Sequence, residues 1–326
     1  MDGMWGIVLA GGRGRRVEEF IRERSGRSCP KQFFAFTGRR TMLEHTLDRM
    51  ERMIRADRIF VVVGAEHAPY VASLSKARPA TRFLFQPRNR ETLPGVLLPL
   101  VHVLNRNPEG KVVIFPSDHF VWEETRFIDP IRWNVRLLDS FPESLTLLGI
   151  RPDLPEPEYG WIEPRRVVCE SDGYSALSVG SFHEKPAKRK ARALMKLGGL
   201  WNTLIFAARA ATLYRLARSA APEMVGCFDR LINDIGGAGE GATLQRIYTE
   251  MAPANISKDL FEKIPGHLLV TPVEEVGWSD WGSPERIVRT LRRYGKALRL
   301  KGAADSRGEG SEKDNWEKIQ QSGASV

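Results

Sequence analysis

Hydrophobic positions in the first 150 residues fall into short solid runs separated by stretches of helical spacing. Trp5-Gly6-Ile7-Val8, Ile59-Phe60-Val61-Val62-Val63 and Val112-Val113-Ile114-Phe115 contain no polar side chain, the pattern of strands buried on both faces. Met42, Leu43, Leu47, Met50 and Ile54 recur mostly at three and four, so Thr41–Met53 is predicted helical. A short helix is predicted near Ala68–Ser75, a strand at Arg82–Phe85 and a helix over Leu93–Leu104. Phe127–Leu138 and Leu145–Leu148 continue the alternation. Strand then helix, repeated, implies right-handed parallel crossovers. The fold class expected is α/β, a doubly wound, mostly parallel Rossmann-like sheet whose strand order the pattern does not disclose. Ligands of such sheets sit beyond the carboxyl ends of strands, where Gly11–Arg16 and Pro116-Ser117-Asp118-His119 both fall.

Beyond residue 150 the texture changes. Pro152, Pro155, Pro157, Pro164 and Pro186 interrupt the chain, and short alternating strands replace the long crossovers. Helical spacing returns at Ala210–Arg218, Met224–Ile232 and Ala242–Met251. This half is expected to form a lobe over the same sheet. A last helix is predicted from Pro284 to about Leu300, with Ser283 as N-cap and proline at its first position. Lys301–Val326 is rich in Gly, Ser and charge and is expected to be disordered. One domain over 1–300, in halves 1–150 and 151–300, followed by a 301–326 tail, is the resulting organisation.

Composition narrows the class. At 326 residues and 42% hydrophobic the chain can bury a large core, and its apolar runs are strand-sized, so no membrane span is expected. Met1-Asp2-Gly3-Met4 lacks a secretory start, and Cys29, Cys169 and Cys227 are widely spaced, which suits reduced thiols in a cytoplasmic protein. The six histidines are scattered, so zinc is not expected. The net charge is +9; the tail after Leu300 holds four basic and five acidic residues, leaving about +10 on the body. The excess gathers at Arg13–Lys31, Lys185–Lys196 and Arg286–Arg299. Without interleaved aromatic or helical readout elements, such clusters fit a small anionic ligand and not nucleic acid. The third cluster reads as the solvated face of a helix.

The candidate chemistry starts at Leu9-Ala10-Gly11-Gly12-Arg13-Gly14-Arg15-Arg16. Glycine lets the backbone present bare N–H groups and arginine supplies charged forks, a pairing suited to a polyphosphate. It is not a P-loop, since no Gly-Lys-Ser/Thr follows. Nor is it a dinucleotide fingerprint, since Val17 stands where the third glycine belongs.

These residues, with Pro30-Lys31-Gln32-Phe33 after them, resemble the opening of the sugar-1-phosphate nucleotidyltransferases, and in particular the mannose-1-phosphate guanylyltransferase branch. Asn89-Arg90-Glu91-Thr92-Leu93-Pro94-Gly95 is similar to that branch's Gly-Arg-Asn-Thr-Ala-Pro-Ala, and Pro116-Ser117-Asp118-His119 to its Pro-Ala-Asp-His. Tyr159-Gly160-Trp161-Ile162-Glu163 resembles Tyr-Gly-Tyr-Ile-Glu, and Phe182-His183-Glu184-Lys185-Pro186 resembles Phe-x-Glu-Lys-Pro. Trp201-Asn202 and Trp278-Ser279-Asp280-Trp281-Gly282 complete the series, over about residues 5–295.

The resemblance implies the nucleotide-diphospho-sugar transferase fold, with a nucleotide-binding first half and a sugar-phosphate-binding second half. It implies that Arg16 and Lys31 are catalytic, holding the triphosphate, and that Mg²⁺ is bound by Asp118 and Asp280. Leu9, Ala10, Gly11, Gly12, Gly14, Arg16, Glu91, Thr92, Pro116 and Asp118 would bind the nucleotide. Gly160, Glu163, Glu184, Lys185 and Asn202 would bind the sugar phosphate. The substrates implied are GTP and mannose 1-phosphate, with room for a homodimer. Another triphosphate, another hexose 1-phosphate, or a non-catalytic sensor stays open. His119 is expected to pack or cap. Asp118→Asn is expected to stop turnover with near-native melting.

Departures are visible. The loop between Arg16 and Lys31 is about four residues longer than usual and lacks the Leu-Trp-Pro after the arginine. Glu91 replaces Asn, and Thr203-Leu204 replaces Ser-Gly after Asn202.

Overall fold

The computed structural model describes residues 3–12 and 14–298. Among them nine strands form one sheet: β1 (Met4–Ala10), β2 (Ile59–Gly64), β3 (Arg82–Gln86), β4 (Lys111–Pro116), β5 (Leu145–Ile150), β6 (Gly160–Ser171), β7 (Tyr174–Glu184), β8 (Leu200–Arg209) and β9 (Leu268–Val273). The order is β3-β2-β1-β4-β8-β5-β9-β7-β6. The solid apolar runs are strands because each residue buries its side chain on one face or the other. Ile7, Phe60, Val62 and Ile114 enter one core, under the helices Thr92–Arg106, Ala210–Ala220, Pro222–Ile232 and Glu240–Glu250. Val8, Val61, Val63 and Phe115 enter the other, with the helices Met42–Glu51, Ala68–Ala77, Glu124–Leu137 and Lys188–Lys196.

The sheet is mixed rather than mostly parallel. β1, β2, β3 and β4 pair in parallel, as do β5 and β9. β8, however, runs antiparallel between β4 and β5, and β6 and β7 form an antiparallel hairpin. A strand from the second half thus lies inside the sheet of the first. The short strands expected after residue 150 are in fact a long hairpin, closed by Asp172-Gly173, both left-handed (φ 53° and 79°), as a two-residue turn requires.

Three helices escape the sequence pattern, Arg15–Ser25, Lys188–Lys196 and the single turn Ile256–Asp259. Arg15–Ser25 buries only Val17, Phe20 and Ile21 among charged neighbours, and Lys188–Lys196 buries only Ala191 and Leu194. The last helix ends at Arg293, stopped by Gly295 at φ 59°, short of the expected end near Leu300; residues 299–300 and the 301–326 tail lie outside the described residues.

Candidate functional site

The glycine loop follows the carboxyl end of β1. Gly14, left-handed at φ 56°, opens the Arg15–Ser25 helix without a side-chain cap, so the first-turn N–H groups have no capping side chain. A Cβ at Gly11 would stand 2.8 Å from Oε1 of Gln86, whereas one at Gly12 would meet nothing within 4 Å. A side chain at Gly11 would have to displace the buried Gln86 amide, whereas Gly12 leaves open space. The loop is held from behind by Gln32, a buried amide whose Nε2 donates to the carbonyls of Ala10 (3.0 Å) and Gly12 (2.7 Å). Beside it is a pocket of about 90 Å³ lined by Leu9, Gly11, Gly12, Gln86, Glu91 and Thr92, among others.

Pro116 ends β4 opposite Leu9, and the Ser117 amide donates to the Leu9 carbonyl at 3.1 Å. The chain then pairs with a loop far ahead in sequence: Phe120 and Ser279 exchange backbone hydrogen bonds of 2.9 and 3.0 Å. That bridge sets Asp118 near Asp280. The ammonium of Lys31, 5% exposed, links them, 2.9 Å from Oδ2 of Asp118 and donating to the backbone carbonyls of Asp280 (2.5 Å) and Trp281 (3.2 Å). All three N–H donors of Lys31 are thus taken by the protein. Burial pushes the Asp118 carboxyl up, but the Lys31 charge and hydrogen bond, with His119, outweigh it and hold the group below the ordinary carboxylate range.

The Asp280 carboxylate is also engaged. Oδ1 accepts from the Tyr159 hydroxyl (2.9 Å) and the Gly282 amide (2.9 Å), and Oδ2 accepts from Nη2 of Arg286 (3.3 Å); Nε of Arg286 stands 3.0 Å from Oδ1 as an ion-pair contact without a hydrogen bond. Arg286 also reaches Glu156 at 3.2 Å and lies over the Tyr159 ring at 4.8 Å. This corrects the expectation for the Arg286–Arg299 cluster: Arg286 is 6% exposed and is the buried counter-charge of the site. His119 packs edge-on against Trp278 and accepts its indole N–H at 3.2 Å; burial lowers its pKa to about 4, so it is neutral.

Across the cleft, Gly160, Glu184 and Asn202 meet. A Cβ on Gly160 would lie 2.9 Å from Oε2 of Glu184 and 3.3 Å from Cβ of Asn202. Burial raises the Glu184 pKa. Lys185 follows at the end of β7, exposed and left-handed at φ 47°. Glu163 is not brought to this cluster. It stands three residues along β6 from Gly160, so strand alternation turns it to the other face, where it accepts from Ser181 at 2.6 Å and pairs with Arg165. Arg16, 65% exposed, pairs with Glu158 at 2.8 Å, and that hydrogen bond lowers the Glu158 pKa.

Gln32, Gln86, Glu158, Tyr159 and Arg286 carried no role in the sequence reading. Backbone strain is the structural signal for the neighbourhood. Of the six described non-glycine residues with positive φ, Asp172 makes the hairpin turn. Of the other five, Glu91 lines the pocket, Lys185 follows Glu184 and Trp281 follows Asp280, whereas Leu204 lies within β8 and Glu275 pairs with Arg126.

The chain is 25% identical over 297 residues to "Mannose-1-phosphate guanylyltransferase 2" of Escherichia coli O157:H7, covering 85% of this chain and 58% of that protein. It is 26% identical over 286 residues to "Alginate biosynthesis protein AlgA" of Pseudomonas syringae pv. tomato, covering 85% and 56%. The chain thus spans under three fifths of the length of these relatives. A Thermus thermophilus crystal structure described as a mannose-1-phosphate geranyltransferase superposes with a TM-score of 0.75 at 24% identity, over 89% of this chain and 79% of the other, which bears on fold alone. A model of the family described as nucleotidyl transferase matches residues 5–296, and the chain belongs to that family.

Proposed function

We propose that the chain condenses a nucleoside triphosphate, GTP, with a sugar 1-phosphate, mannose 1-phosphate, releasing pyrophosphate. In this transfer a phosphate oxygen of the sugar phosphate bonds to the α-phosphorus as the bond from that phosphorus to the β-bridging oxygen breaks. The nucleophile is already anionic, so no general base is required; the difficulty is assembling anions and offsetting their charge. The observation that carries the reading is the Phe120–Ser279 bridge, which sets Asp118 and Asp280 on one lysine beside the glycine loop.

The donor set fits Mg²⁺. One or two carboxylates plus phosphate oxygens is its usual protein coordination, and among the described residues no group of three or more His, Cys, Asp and Glu offers an alternative cage. Oδ1 of Asp118 stands 4.0 Å from Nε2 of His119, beyond hydrogen-bond reach, and Asp280 keeps lone-pair capacity on Oδ2. Mg²⁺ held there would offset the charge of the α-phosphate and its leaving group. Arg16, freed from Glu158, and the N–H groups at the Arg15–Ser25 helix start would hold the triphosphate. Lys31 fixes the spacing of the two acidic segments, and its N–H nearest Asp118 can turn to phosphate when that carboxylate is otherwise engaged. Glu184, Lys185 and Asn202 would bind the sugar phosphate.

The test is pyrophosphate release from four nucleoside triphosphates against a set of hexose 1-phosphates, with Mg²⁺ and with chelator. Turnover is expected with GTP and mannose 1-phosphate and is expected to vanish under chelation. No turnover with any pair overturns the proposal.

A further inference from the structure

Glu91 occupies a conformation that ordinarily belongs to glycine, with φ 69° and ψ −167°. The chain around it is clamped. Its own amide donates to Oδ1 of Asn89 at 2.8 Å. Arg90 donates from Nε to the Tyr248 carbonyl (2.9 Å) and from Nη2 to the Thr249 carbonyl (3.1 Å). The Leu93 amide donates to Ala254 and the Ala254 amide to Arg90. A glycine would satisfy the same bonds without strain, so the carboxylate is held there at a cost that the fold does not require.

The pocket beside it is rich in acceptors. Gln86 donates one of its two amide N–H bonds to the Tyr248 hydroxyl (2.8 Å) and holds Oε1 on the side toward Gly11. Thr92 accepts from the Ile256 amide at 2.9 Å. Glu91 is exposed at the pocket wall, with no hydrogen bond or ion pair from its carboxylate among the described residues. Acceptors call for donors. Guanine carries two adjacent ones, N1–H and the 2-amino group, which match the two oxygens of a carboxylate in a bidentate bond. Adenine and cytosine place a ring acceptor at that edge, and uracil flanks its single N–H with two carbonyls.

We propose that Glu91 selects the base, its carboxylate accepting from N1–H and the 2-amino group of guanine. This rests on the reading of the pocket as the nucleotide site. The experiment is equilibrium binding of GTP, ITP and XTP to the full chain and to Glu91→Gln and Glu91→Gly. ITP lacks the 2-amino group, and XTP has a carbonyl in its place. The wild-type chain is expected to prefer GTP over ITP by about tenfold, the size of one charged hydrogen bond. Glu91→Gln is expected to lose that preference and to gain XTP binding, because its amide can donate to the new carbonyl. Glu91→Gly is expected to melt above the wild type while no longer separating GTP from ITP. A structural role for the side chain would not produce the XTP gain. If Glu91→Gln keeps the wild-type GTP-over-ITP ratio and gains no XTP, the assignment is overturned. If the wild-type chain binds no nucleoside triphosphate, the functional reading falls instead.

Discussion

Lys31 decides what its neighbours can do. Because its buried ammonium faces a carboxylate and two carbonyls, Asp118→Asn removes its one anionic partner among the described residues while leaving the ammonium in place. Breaking a fully buried pair costs about 3–5 kcal/mol; the two carbonyls that remain bring the expected loss to roughly 1–3 kcal/mol. The near-native melting expected from sequence therefore gives way to a drop of several degrees, with turnover lost as well. Thermal melts of Asp118→Asn, Lys31→Met and the double variant check this, the double variant being expected to recover part of the loss. A single variant melting within a degree of wild type would contradict it. Glu184 behaves in the opposite sense. Burial raises its pKa, so the folded state holds its proton more tightly than the unfolded chain. Stability contributed by that group is present below the ordinary glutamate pKa and falls as pH rises through the raised one. Glu184→Gln is thus expected to raise the melting temperature at pH 7 more than at pH 4 while weakening sugar-phosphate binding. Equal shifts at the two pH values would refute it.

Strand and helix junctions carry the strain. Lys185 joins β7 to the Lys188–Lys196 helix in the left-handed region, where a Cβ costs roughly 1–2 kcal/mol and glycine returns about 0.5–1 through its freer unfolded chain. Lys185→Ala and Lys185→Gly both remove the ammonium, but only the second relaxes the backbone. Lys185→Gly should therefore melt above Lys185→Ala by up to about 1 kcal/mol of stability, and an equal or reversed order in denaturant melts would count against a strained junction. Element type was legible where one rule dominated. Solid apolar runs announced β1, β2 and β4 because both faces of those strands are covered. The Arg15–Ser25 helix was hidden because Val17, Phe20 and Ile21 are outnumbered by charge, and β8 gave no hint that it runs antiparallel. At the site, Asp118 and Asp280 stood out through their motifs, whereas Arg286 did not. Its burial depends on Asp280 and Glu156, which only the fold brings to it, and an arginine at helical spacing reads as solvent-facing. Glu163 misled for a related reason, since sequence proximity to Gly160 says nothing about strand face unless the parity is counted.

Across the whole molecule charged side chains tie segments distant in sequence together around the cleft. Lys31 reaches the Asp280 loop, Arg286 reaches Glu156, and Arg16 at the start of the first helix reaches Glu158 just before β6. The first two are buried and fix geometry. The third is exposed, at 65% and 41% for its side chains, so it contributes little to stability. Its consequence is competitive, because Glu158 occupies the guanidinium proposed to receive the triphosphate. Glu158→Gln removes the competitor and one negative charge from the cleft mouth. It should leave the melting temperature nearly unchanged and tighten triphosphate binding severalfold at low ionic strength, the scale of an exposed pair at about 0.5–1 kcal/mol. At about 1 M salt the Debye length shrinks to roughly 3 Å and most of that advantage should disappear. Nucleotide titrations of the wild type and Glu158→Gln at both salt concentrations separate the outcomes. Binding that is unchanged or weaker at low salt would mean that Arg16 meets the phosphates without leaving Glu158, or does not meet them.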